Sequence, residues 1–157
     1  MEFIDICRTY DYAMYDSHIC EMRDAMEVEM LDHIPENLHA FYKEVYSYVP
    51  KSIHDFSMTI FHDPHRRFFI LKNDNVIVGY IYLMLHEPVI HIEEIYIYRK
   101  YRGKQIGPAV IQKLSDSMKD FTSINLNVIV ANSAALSMYI KLGFSMHTMT
   151  MYKKINQ

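Results

Sequence analysis

A strand-like run that ends in a basic, glycine-containing turn gives this chain the means to hold an anion. Residues His91 to Gly107 read HIEEIYIYRKYRGKQIG: apolar residues alternate from Ile92 to Tyr98, basic ones cluster from Arg99 to Lys104, and Gly107 and Pro108 open a helix. The first N–H groups of a helix have no internal partner and lie at the positive end of its dipole, so such a turn can wrap a pyrophosphate. Gly103 and Gly107 allow positive φ or close approach to a ligand, Pro108 suits the first helical turn, and Arg102 and Lys104 add charge.

Glu93 and Glu94 lie inside the strand before that turn. As neighbours in a regular strand they point to opposite faces, so only one can serve a site. Glu93 shares parity with Ile95 and Ile97; the alternative for either residue is a solvated strand carboxylate. His86 and His91 flank Glu87-Pro88 and are candidate bases, while His62-x-x-His65 lacks Cys or clear acidic partners, so no metal is expected.

A second run, Asn132-Ser133-Ala134-Ala135-Leu136-Ser137-Met138-Tyr139-Ile140-Lys141-Leu142-Gly143-Phe144, reads as a capped helix. Asn132 stands at or just before an N-cap, Gly143 can close the helix in a left-handed conformation, and Phe144 returns to the core. Tyr139 follows Asn132 by about two turns on the same face. Among thirteen tyrosines packing is the ordinary role for any one, and only the surrounding pattern singles out Tyr139.

Arg102-Gly103-Lys104-Gln105-Ile106-Gly107 resembles the acetyl-CoA pyrophosphate loop of the GNAT N-acetyltransferase superfamily, R/Q-x-x-G-x-G/A, with Gln105 in place of the usual middle glycine. A Gln there keeps its N–H available if its φ is negative. Asn132 to Phe144 is similar to the second signature of that family, N-x-x-A-x-x-x-Y-x-x-x-G-F, with every signature position filled. The match covers Val89 to Ile155 by motif and the front half by order of elements. It implies that the backbone of Ile95, Tyr96 and Ile97 pairs with the pantetheine arm and that Arg102 to Gly107 hold the pyrophosphate. It further implies that Asn132 and Ala135 contribute to cofactor binding, and that Tyr139 protonates the departing thiolate. Glu93 matches a Glu carried by polyamine acetyltransferases of the family and is preferred to Glu94 as the route for the amine proton.

The implied activity is transfer of an acetyl group from acetyl-CoA to a primary amine, either a small cation or a peptide or protein amine, by direct attack in a ternary complex. A catalytically silent acetyl-CoA sensor is the alternative, with Gln105 as its support; a P-loop enzyme is disfavoured because Gly-Lys-Gln lacks the terminal Ser or Thr. Homodimers are frequent in the family, so a homodimer is a further expectation.

The elements that must position these residues read as one domain over residues 1–157, of mixed α/β (α+β) class. Phe3 to Cys7 suggests a strand, and Tyr15, Ile19, Met22, Met26 and Met30 mark an amphipathic helix ending before Pro35. A second helix is expected from Glu36 to Tyr48, and Lys51 to His65 reads as a loop or short helix. Strands are expected at Arg67 to Leu71, Val76 to His86 and Val89 to Tyr98 as an antiparallel meander. There follow a helix from Ile106 to about Lys119, a strand through Leu126, Val128 and Val130, a helix from Ser133 to Leu142, and two final strands within Phe144 to Ile155. The result is a mainly antiparallel sheet of six to seven strands flanked by about four helices. A net charge of −3 disfavours a nucleic-acid partner and suits a cationic substrate, and no run is apolar enough for a membrane span. Without a basic n-region and apolar h-region at the start, a cytoplasmic protein is expected, with Cys7 and Cys20 as free thiols.

Overall fold

From Arg66 to Ile97 apolar residues occupy both strand parities, which demands cover on both faces of the sheet. The computed structural model describes residues 1–9, 12–46 and 63–151. Its strands are β1 (Glu2–Asp5), β2 (Arg66–Asn73), β3 (Val76–His86), β4 (Val89–Ile97) and β5 (Ser123–Leu126). They lie side by side in chain order; β1 to β4 are antiparallel and β5 runs parallel to β4. The helices are α1 (Ile6–Thr9), α2 (Tyr12–Leu31), α3 (His39–Tyr46), α4 (Ile106–Ser117) and α5 (Ser133–Lys141), with single 3-10 turns at Glu36–Leu38 and Arg99–Tyr101.

Helix α2 lays Tyr15, Ile19 and Met22 on one face of the sheet, against Phe68, Ile70, Tyr80, Tyr82 and Tyr96. The opposite face, including Leu71, Ile81, Leu83 and Ile92, is covered by Ile106, Val110, Ile111 and Leu114 of α4 and by Tyr139 of α5. Asp74 and Asn75 take φ of 51° and 63°, the left-handed pair that a two-residue hairpin between β2 and β3 needs to match strand twist.

The three-strand meander and the helices at α2, α4 and α5 agree with the sequence reading. Other expectations need correction. The strand expected at Phe3 to Cys7 is Glu2–Asp5, because the chain turns into α1 at Ile6. The strand expected through Val128 and Val130 ends at Leu126, since β5 has a partner only as far as Ile92 of β4. Residues 145–151 form no strand, so the sheet has five strands among the described residues rather than six or seven. The reading of Lys51 to His65 falls almost wholly outside the described residues, as do the end of the second helix and residues 152–157. No helix of the described residues is long and apolar enough to cross a membrane.

Burial of the phenols gives the fold an alkaline limit. Tyr80, Tyr82, Tyr96, Tyr98 and Tyr139 are all raised above the ordinary 10.0, chiefly because burial penalises the phenolate, Tyr98 and Tyr139 to about 12. Between these values the unfolded chain has lost protons that the folded chain keeps, so stability is complete below pH ~10 and falls as the pH rises toward ~12. Urea midpoints should therefore drop steeply over that interval and far less between pH ~7 and ~9; a flat profile would contradict the burial.

Candidate active site

The site is built on one irregularity. Tyr82 of β3 faces Glu94 and the next residue, Leu83, faces Ile92, so Glu93 is an extra residue in β4 without a partner across the ladder. This is a β-bulge. Before it Ile90 and Ile92 contribute to the cluster under α4, and after it Ile95 and Ile97 do, so the bulge exchanges the parity of the strand. The expectation that Glu93 simply shares strand parity with Ile95 and Ile97 is corrected by this displacement.

Beyond the bulge β4 loses its second neighbour, because pairing with β5 stops at Ile92↔Leu126. The Tyr98 N–H donates to the Val78 carbonyl at 3.0 Å. In an antiparallel ladder alternate residues bond to the same neighbour, so Tyr96 and Glu94 also spend their backbone groups on β3. The N–H and C=O groups of Ile95 and Ile97 consequently face the other way, onto an edge left open among the described residues. Of the three residues expected to pair with an extended ligand, Ile95 and the Ile97 N–H face this edge, the Ile97 carbonyl faces it but already accepts from Arg102 Nε, and Tyr96 is turned to β3.

The turn after this edge leads into α4. Gly103 has φ 73° and Gln105, at the N-cap, has φ 62° and ψ 14°. The condition of a negative φ at Gln105 is not met: the residue adopts the left-handed conformation that glycine takes without strain. No side chain caps the start of α4, which leaves the N–H groups of Ile106 and Gly107 directed at the turn. A Cβ on Gly107 would lie 2.9 Å from Met138 Sδ, so glycine there lets α4 and α5 approach closely. Lys104 is exposed beside the loop, 5.7 Å above the Tyr101 ring. The Arg102 guanidinium is engaged elsewhere: Nη1 lies 2.5 Å from Glu29 Oε2 and Nε donates to the Ile97 carbonyl at 2.8 Å.

On α5, Asn132 Oδ1 accepts from the Ala135 N–H at 3.1 Å, a side-chain N-cap that commits both groups to the helix. Tyr139 is 7% exposed, its ring edge-on to Phe144 at 5.4 Å, in the same cluster as Ile92, Ile95 and Ile97. Its hydroxyl makes no hydrogen bond among the described residues, yet it is not one of the sealed, unpartnered polar atoms. Gly143 takes φ 91° as the expected helix stop.

The two carboxylates separate in role. Glu93 is exposed and makes no hydrogen bond or ion pair among the described residues. Glu94 is turned into the face covered by α2, where Arg23 Nη2 donates to it at 2.9 Å and the Tyr80 hydroxyl at 2.8 Å. With both ion-pair side chains at most 15% exposed, Glu94 is an internal anchor. The sequence reading gave Arg23 no role in the site, and read Glu29 only as one of an acidic segment, Glu27, Glu29, Asp32 and Glu36, that weakly favours a cation. A signal existed for Arg23: it follows Ile19 by four residues and precedes Met26 by three, so the apolar stripe of α2 includes a cation that needs a buried partner. His65 stacks on His86 at 6.3 Å between ring centroids, and His91 bonds to Asn125 Oδ1 at 2.5 Å; among the described residues no group of three or more His, Cys, Asp or Glu is placed to hold a metal.

Comparison with known proteins gives these features a context. The model of the "Acetyltransferase (GNAT) family" matches residues 22–144. Among solved structures, the PaiA N-acetyltransferase of Thermoplasma acidophilum in complex with coenzyme A aligns with a TM-score of 0.66 at 20% identity, over 96% of this chain and 94% of that one. AAC(6')-Iy in complex with a bisubstrate analogue aligns at 0.56 and 16% identity, over 73% and 86% of the two chains. The ribosomal-protein-S18-alanine N-acetyltransferase of Escherichia coli aligns at 0.55 and 20% identity, over 64% and 65%. At these identities the likeness speaks for the fold. No curated protein matches the chain by sequence.

The left-handed Gln105 makes a direct test. Glycine removes a backbone cost of about 1–2 kcal/mol and loses part of it to unfolded-chain entropy, so Gln105→Gly is expected to stabilise by about 0.5–1 kcal/mol in urea titration. Gln105→Val, which tolerates the left-handed region worse, should destabilise. The reverse order would contradict the conformation.

Proposed function

The chain belongs to the GNAT acetyltransferase family, and on that premise we propose that it is an N-acetyltransferase moving the acetyl group of acetyl-CoA to a primary amine by direct attack in a ternary complex. The observation that carries this reading is the open edge of β4 between the bulge and the α4 loop. It offers the backbone groups of Ile95 and Ile97 to an extended amide-bearing arm, and it leads to a helix start suited to a pyrophosphate. The residues present fit the group: Gly103 to Gly107 would hold the pyrophosphate, Ile95 and Ile97 the pantetheine amides, and bound acetyl-CoA supplies the activated thioester.

Tyr139 is the proton donor in this reading. Burial keeps its hydroxyl protonated, with a pKa of about 12, so it is a neutral donor across the physiological range and retains a proton for the departing thiolate. Glu93, exposed at the bulge, is the carboxylate that accepts the amine proton directly or through water; Glu94 is withdrawn from that role by Arg23 and Tyr80. An exposed carboxylate at the mouth also favours a cationic acceptor. The PaiA and ribosomal-protein-S18-alanine enzymes are N-acetyltransferases by name, and AAC(6')-Iy is complexed with a CoA-linked acetylneamine analogue, which supports this class. The silent-sensor alternative keeps Gln105, now with a positive φ, as its support, and the assay below decides between the two readings.

The reading is tested by following thiol release from acetyl-CoA with a panel of small polyamines, amino sugars and peptides, comparing the wild type with Tyr139→Phe. Release with at least one amine is expected, and the variant should lose about 10²-fold in kcat while CoA affinity stays nearly unchanged. Binding of CoA without release from any acceptor, or loss of affinity in the variant, would contradict the assignment.

A further inference from the structure

Three contacts converge on one guanidinium at the mouth of the proposed cofactor groove, and a fourth links two of its partners. Arg102 Nη1 pairs with Glu29 Oε2 at 2.5 Å, and Arg102 Nε donates to the Ile97 carbonyl at 2.8 Å. Arg102 Cζ lies 5.2 Å above the Tyr96 ring, whose hydroxyl donates to the other oxygen of Glu29 at 3.2 Å. The chain thus ties the loop before α4 to the far part of α2 across the open edge of β4. The Ile97 carbonyl is one of the few acceptors that edge presents, and here it already has a donor.

Resting on the reading of this edge as an acetyl-CoA groove, we propose that Glu29 determines cofactor affinity by latching Arg102 across the groove, and that the incoming cofactor displaces the latch. A pantetheine amide approaching along this edge competes with Arg102 for the Ile97 carbonyl. The freed guanidinium has a better anion within its loop, because a pyrophosphate gives it charge-assisted hydrogen bonds of greater strength than a partly solvated carboxylate does. The hold is also weak enough to release. The Arg102 side chain is 42% exposed and that of Glu29 22%, and pairs of this exposure are screened and contribute little. Glu29 therefore lowers apparent affinity by stabilising the closed arrangement, as any competitor of the bound state does.

Glu29→Gln keeps the size of the side chain and an acceptor for the Tyr96 hydroxyl while removing the charge that holds Arg102. Titration of CoA by calorimetry should show the variant binding about threefold to fivefold more tightly than the wild type, the range expected for releasing a partly exposed ion pair. Loss of a nearby negative charge would also favour an anionic ligand without any latch, and a double-mutant cycle separates the two. In an Arg102→Met background, Glu29→Gln should bring no gain. An equal gain there would show simple charge repulsion and overturn the latch, as would unchanged or weaker binding by Glu29→Gln while the wild type binds CoA. Failure of both wild type and Glu29→Gln to bind CoA would overturn the cofactor reading itself, and the latch with it.

Discussion

At Glu93 the ladder between β3 and β4 gains one residue, and the consequences run through the whole site. Without the bulge, the backbone groups that now face the open edge at Ile95 and Ile97 would be replaced by those of their neighbours, and the side chains would exchange faces. With it, Ile95 and Ile97 continue the apolar surface under α4 and α5, Glu94 is driven into the layer beneath α2, and Glu93 is left in solvent. The bulge lies where pairing with β5 stops, so one extra residue stands at the start of the open edge and decides which groups line it.

The bulge is held from behind. Arg23 of α2 and Tyr80 of β3 both reach Glu94, in a region where side chains are nearly sealed. A carboxylate buried with two donors resists any shift of the strand that would leave it, or Arg23, without a counterpart. In front, the α4 loop takes its shape from Gly103 and Gln105 in left-handed conformations, and α5 is drawn close by the absence of a side chain at Gly107. Rigid elements thus fix the backbone groups of the groove, while the charged side chains at its rim, Glu93, Lys104 and Arg102, are exposed.

Much of this was legible from residue types. The Asn73-Asp74-Asn75 turn, the Met-rich stripe of α2 and the run from Asn132 to Phe144 each combine local conformational preference with a matching apolar pattern, and each appears where it was expected. The bulge was not legible, because nothing distinguishes Glu93-Glu94 from two successive residues of a regular strand; the displacement arises from the pairing with β3. The same limit misled the reading of Val128 and Val130, which alternate like a strand but follow the point where β4 has turned away. The left-handed φ of Gln105 runs against the general preference of L-residues, and its residue type does not announce it. Arg102 was read as a ligand for phosphate from its charge and its place in the resembling loop, whereas in the structure Glu29, distant in sequence, pairs with it.

The central claim is that a bound CoA completes β4 as an added strand along Ile95 and Ile97. Residue-resolved amide exchange, measured with and without CoA, tests it most directly. Protection should rise at Ile95 and Ile97 and change little at Tyr96, whose N–H already serves β3. Uniform protection along residues 94–98, or none on addition of saturating CoA, would contradict the account.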